Sequence, residues 1–139
     1  MGERRPLDEV VAAYIAAVGY RDERLRRELI EAAVSETFVF CSGVGESHGR
    51  DEFFDAIDGV QARVPPGSVL ATSTPIDEHH GRARCGWRFE DPETGASFDE
   101  QPFGAYLRGM DFATLDDDGR LASLTVFVDA VWAGETPSS

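Results

Sequence analysis

Four aspartates lie in the segment GMDFATLDDDG, Gly109 to Gly119, and one of them stands apart. Asp116, Asp117 and Asp118 run into Gly119 as a solvated hairpin turn does, and they lack the spaced acidic ligands and closing glutamate of a calcium loop. Asp111 instead sits among Met110, Phe112, Ala113 and Leu115. A carboxylate buried in an apolar strand loses the hydration of its charged form, so its pKa rises and the neutral acid can donate a hydrogen bond or a proton. If Asp116 and Gly119 close a tight hairpin, Asp111 lies opposite Leu124, on a face shared with Ala113, Leu115, Val126 and Val128. The alternatives are a structural aspartate bonded to a loop, or a slipped register that turns it to water.

The other candidates carry less. Tyr14 lies on the apolar stripe of a helix, where a tyrosine is either core filler with its hydroxyl on a polar partner or a donor to a ligand. His48 precedes a helix and could border a pocket mouth as an acid or base, or simply be an exposed loop histidine. His79 and His80 sit in a turn signal beside Gly81 and read as exposed; with Asp77 or Glu78 they are the place to check for zinc, although no metal site is expected. Asp129 reads as structural. Cys41 and Cys85 lack any partner at metal spacing and read as buried small hydrophobes.

These residues need elements to hold them. Leu7, Val10, Val11, Tyr14, Ile15 and Val18 follow one helical face, with Pro6 at its start and Gly19 at its end. A second helix begins at Asp22, an N-cap, and turns Leu25, Leu29, Ile30 and Ala33 inward, leaving Arg24, Arg26, Arg27 and Glu28 outside. TFVFC, Thr37 to Cys41, reads as a strand followed by a loop, SGVGES. A third helix runs from about Arg50 to Val64, with Phe53, Phe54, Ile57 and Val60 on its apolar face and PPG closing it. From Ser68 onward the pattern is of strands: SVLATSTPID, RARCGWRFE, AYLRGMDFATL and RLASLTVFVDAVW, joined by short turns and therefore antiparallel. ASFDEQPF is an excursion before the third of these, and GETPSS, 134–139, reads as a disordered tail. In RARCGWRFE the apolar set Ala83, Cys85, Trp87 and Phe89 should face the helices, and Arg84 and Arg88 the outside.

The expected architecture is one α+β domain over 1–139, with three helices laid on the concave face of a strongly curved, cone-shaped antiparallel sheet. The mouth of such a cone is a usual place for a small-molecule pocket.

Composition narrows the function. The chain carries a formal charge of -13, and every one of its thirteen basic residues is arginine. Nucleic acid would meet a repulsive field, and Schiff-base chemistry on a lysine is excluded. No apolar run approaches the length of a membrane span and no secretory leader is legible, so a cytoplasmic protein with no membrane partner is expected.

The order AAYIAAV, HGRDEFFDAI and GMDFATLDDDGRLASLTVFVD, spread from Leu7 to Trp132, resembles the nuclear transport factor 2-like superfamily in its SnoaL-like and ketosteroid isomerase-like branch. The resemblance implies a homodimer formed through the outer sheet face. It places the isomerase's oxyanion-binding tyrosine on Tyr14 and its protonated aspartate on Asp111, while its general base falls at Phe40, where no carboxylate stands. Cofactor-free acid–base chemistry of isomerase, dehydratase or cyclase type on an apolar, oxygen-bearing molecule is then expected. Asp111, Tyr14 and His48 would be catalytic, and Phe40, Phe54, Trp87, Val126 and Val128 would shape the cavity. The competing readings are a non-catalytic binding module, favoured by the missing base, and a structural dimerisation domain.

Overall fold

A computed structural model describes residues 5–43, 45–97 and 107–129. The proposed tail, Trp132 and most of ASFDEQPF lie outside these residues. Helix α1, Leu7–Gly19, follows Pro6, has Asp8 and Glu9 in its first turn, and buries Val10, Tyr14, Ala17 and Val18. Helix α2, Glu23–Ala33, is capped by Asp22, whose side chain accepts from the Leu25 backbone N–H at 2.9 Å; this satisfies one of the orphan donors at the helix start. Helix α3, Gly49–Arg63, buries Phe53, Phe54 and Ile57.

Arg26 does not lie outside as its spacing suggested. It is only 2% exposed. Its guanidinium donates to Asp58 Oδ1 at 2.8 Å and to Gln61 Oε1 at 3.1 Å, and lies over the Phe54 ring, 4.9 Å from its centroid. Arg27 covers the same ring at 4.4 Å. A planar cation whose N–H groups find acceptors on the facing helix can be buried where a lone charge could not. Leu25, expected inside, is exposed instead.

The strands are β1 (Val34–Ser42), β2 (Gly45–His48), β3 (Val69–Thr72), β4 (Asp77–His79), β5 (Arg82–Glu90), β6 (Arg108–Leu115) and β7 (Leu121–Val128). They form one sheet in the order β2-β1-β7-β6-β5-β3, with β4 also pairing β5. The expected all-antiparallel sheet is in fact mixed, because β1 runs parallel to β7, with Phe40 beside Leu124 and Cys41 beside Thr125. Short turns dictate only how consecutive strands pair, and this contact joins the ends of the fold. SGVGES is not simply a loop, since Gly45–His48 pairs back on β1.

SVLATSTPID is two strands with a bend. Ser73 donates its backbone N–H to Gly86 O at 2.8 Å, and the Gly86 N–H donates to Thr74 Oγ1 at 2.7 Å. A Cβ on Gly86 would overlap Ser73 Oγ and stand 3.0 Å from the Thr74 methyl, so any side chain there would have to turn these two side chains aside. The bend carries Ile76 to the inner side of the sheet, where it borders the same cavity as Tyr14 and Cys85.

The turn after β6 is longer than a tight hairpin. Asp116 N–H donates to Arg120 O, and Asp116 Oδ1 accepts from the N–H groups of Asp118 and Arg120. An irregularity between Thr114 and Leu115 then shifts the ladder, so that Asp111 faces Val126 and Ala113 faces Leu124. The expected pairing of Asp111 with Leu124 is therefore displaced by two residues, an even step that leaves every side chain on its expected face. Among the described residues no helix is long and apolar enough to cross a membrane.

Candidate functional site

Asp111 occupies the middle of the inner sheet face, between Cys85 on β5 and Val126 on β7. It is 6% exposed, and its Oδ1 has no hydrogen-bond partner among the described residues. Burial alone pushes its carboxyl from the ordinary 3.8 up to about 8, because an apolar surround penalises the charged form. Asp111 is thus mostly a neutral acid at pH 7.

Tyr14 comes down from α1 onto the same spot. Its ring lies nearly parallel to that of Phe53, with centroids 6.1 Å apart and an interplanar angle of 11°. Tyr14 and Asp111 border one cavity, with Val11, Ile76, Cys85 and Leu124 among its other walls. Burial raises the Tyr14 hydroxyl well above its usual pKa, and the charges of Asp111 and Cys85 raise it further. Cys85 is pushed up to about 11, first by burial and then by Asp111. A carboxylic acid, a phenol and a thiol, all protonated at neutral pH, therefore meet in one apolar space. The free volume of the cavity is about 20 Å³, room for one water-sized sphere. A larger molecule must displace the walls, and the Ile76 bend is the wall made by the shortest strands.

Gly109 supports this arrangement from two residues away. A Cβ there would overlap the Phe127 carbonyl oxygen and come within 2.8 Å of Trp87 Cζ2. The Trp87 ring can lie against β6 beside Asp111 only because Gly109 has no side chain.

No family model matches the chain, and no curated protein matches it. Solved structures do. A presumed isomerase of the SnoaL-like family from Agrobacterium tumefaciens superposes with a TM-score of 0.72 at 22% identity, over 88% of this chain and 97% of that one. The chain has the nuclear transport factor 2-like fold. A nuclear transport factor 2-like protein of unknown function from Exiguobacterium sp. 255-15 superposes at 0.61 with 20% identity, over 86% and 98% of the two chains. A presumed SnoaL-like polyketide cyclase from Jannaschia sp. CCS1 does so at 0.58 with 14% identity, over 99% and 100%.

Within this nuclear transport factor 2-like frame the remaining candidates fall in different places. Phe40 is buried among Phe38 and Phe53, with ring centroids 6.5 Å and 5.0 Å away, and so fills the place where a second carboxylate was sought. Trp87, Val126 and Val128 lie on the inner face, Trp87 opposite Gly109 and Val126 opposite Asp111. Phe54 does not face this cavity; the guanidiniums of Arg26 and Arg27 hold it toward α2. His48 is also elsewhere, its exposed ring 2.6 Å from Glu46 Oε1 on edge strand β2. His79 stands exposed on β4, 3.8 Å from Asp77. Among the described residues no group of three or more His, Cys, Asp or Glu side chains is placed to hold a metal. Asp129 accepts from Arg108 Nε at 3.0 Å.

Cys85 is the residue that sequence reasoning missed. The alternation of RARCGWRFE turned it inward correctly. The excursion between β5 and β6 hid the register that sets it opposite Asp111.

Proposed function

We propose that the protein is a small-molecule enzyme that applies cofactor-free acid–base chemistry to an apolar, oxygen-bearing substrate. The observation that carries this reading is Asp111: a buried carboxyl, one oxygen without a partner among the described residues, bordering the same cavity as a buried tyrosine. Asp111 gives its proton to a developing alkoxide or departing hydroxyl, and Tyr14 donates a hydrogen bond to the same oxygen. Preformed donors in a low-dielectric site stabilise such charge more than water does. Dehydration of a β-hydroxy ketone can use one carboxyl for both protons: as the C–O bond breaks, one Asp111 oxygen protonates the departing hydroxyl while the other takes the α-proton, leaving the enone, water and a neutral acid.

The test is a panel of β-hydroxy ketones followed by enone absorbance. Wild-type turnover is expected to fall as pH rises through about 8, where Asp111 loses its proton. Asp111→Asn should lower kcat about 100-fold, the low end of general-acid effects, and Tyr14→Phe about tenfold, less than loss of an oxyanion-hole donor usually costs because Asp111 still donates. Full activity in Asp111→Asn would rule out proton transfer by this residue. The phenylalanine at position 40 favours a second reading, a binding module without turnover; saturable binding of a nitrophenol with no enone formation would identify it.

We also propose that two copies meet through the outer sheet face. Phe112 and Phe127 are 43% and 38% exposed there and pack edge to face at 5.6 Å. Across that face Arg84, Phe112, Thr125, Cys41 and Glu46 stand in one cross-strand row. A two-fold partner can set the arginine end of this row over the acidic end of its own. Sedimentation velocity should give a dimer for the wild type and a monomer for Phe112→Glu; equal masses would reject this interface.

A further inference from the structure

We propose that Cys85 is a third working group of the cavity, a nucleophile that adds reversibly to the β-carbon of an α,β-unsaturated carbonyl compound whose oxygen is held by Asp111 and Tyr14. This rests on the reading of Asp111 and Tyr14 as donors to one ligand oxygen and adds to it a substrate class and a bond. Three observations carry it. Cys85 and Asp111 are direct cross-strand partners on the inner face. Both border the cavity that Tyr14 borders. Asp111 presents an oxygen that no group among the described residues satisfies, although the residue is only 6% exposed, and a buried polar atom left without a partner is costly unless a ligand engages it.

The step balances without any further reactant. The sulfur forms a bond to the β-carbon, and the carbon–carbon π pair shifts to make an enol. Asp111 passes its proton to the carbonyl oxygen and receives the thiol proton in exchange. The enol then moves its proton from oxygen to the α-carbon, so the net change is addition of S–H across the double bond. Nothing is oxidised or reduced. The exchange through Asp111 also lets a thiol that burial keeps protonated act without prior ionisation. Cys41, half-buried on the outer sheet face, stands between Thr125 and the exposed carboxyl of Glu46, away from this cavity.

The probe is methyl vinyl ketone, an enone of five heavy atoms, chosen because a small molecule displaces the cavity walls least. The protein is Cys41→Ser, which leaves one thiol, and the readout is intact mass with peptide mapping. Cys85 should gain one adduct, and Tyr14→Phe or Asp111→Asn in that background should slow its formation at least tenfold. The rate with iodoacetamide, which has no enone oxygen to hold, should not fall in either variant. If Cys85 stays unlabelled in the folded protein while urea-unfolded protein labels fully, or if both variants react with the enone at the parent rate, the proposal is overturned. Using two variants guards against one of them failing to fold. Saturable nitrophenol binding in the same Cys41→Ser protein separates the causes: binding without addition defeats only the role of Cys85, whereas loss of both defeats the donor pair as well.

Discussion

Asp111→Asn is expected to flatten the pH dependence of stability and to leave the protein more stable than the wild type above neutral pH. The unfolded chain ionises this carboxyl near 3.8 and the folded chain near 8. Between those values the folded state holds a proton that the unfolded state has released. Unfolding is then favoured as pH rises, by ~1.4 kcal/mol per unit. The contribution is fully present below pH 3.8, is lost progressively up to about pH 8, and changes no further above that. Asparagine keeps the size and polarity of the acid but has nothing to ionise. Urea denaturation of both proteins from pH 5 to pH 9 isolates the effect, because the other titrating groups are common to both. The gap between the two stabilities should move by about 4 kcal/mol in favour of the variant over that range. Parallel curves would mean that Asp111 is charged and solvated in the folded protein.

The second large effect is expected at Gly109. It lies within β6 between Trp87 on one neighbour and Val128 on the other. What it supplies is space: the first carbon of any side chain would overlap the Phe127 carbonyl oxygen and press on the indole of Trp87. The backbone of a central strand cannot yield as a flexible side chain can, so Gly109→Val must open the β6–β7 ladder or expel Trp87. A loss of about 3 kcal/mol or more is expected, at the upper end for overpacking, read as a lower urea midpoint at unchanged slope. Because Asp111 is two residues away on the same strand, the variant should also lower the Asp111 pKa toward ordinary carboxylates, by letting water into the cavity. A wild-type midpoint would show that the sheet can move aside at this point.

Much of this fold was legible because local rules govern it. The strand β5, Arg82–Glu90, coincides with the stretch RARCGWRFE, whose alternation marks a strand. The Asp22 cap and the stripe through Val10, Tyr14 and Val18 are likewise local. The face of Asp111 survived an error of two residues in its pairing, because only an odd slip moves a side chain through the sheet.

What was not legible depends on distant partners. The parallel contact of β1 with β7 joins segments separated by most of the chain. The burial of Arg26 requires Asp58 and Gln61 on another helix, which no pattern within α2 can announce. That same contact turned Phe54 away from the cavity. The pairing of Cys85 with Asp111 spans a connection whose length could not be assigned to strand or loop. The site was therefore half visible, with an acid and a phenol in sequence and a thiol only in three dimensions.

The protonation of Asp111 is the point on which the proposed chemistry depends, and carbon-13 NMR of its side-chain carboxyl measures it directly. The resonance is assigned by its absence from Asp111→Asn and followed from pH 3 to pH 10. A neutral acid in an apolar cavity titrates with a midpoint near 8. A midpoint near 3.8, the value of a solvated aspartate, would contradict it and remove the proton donor from the site.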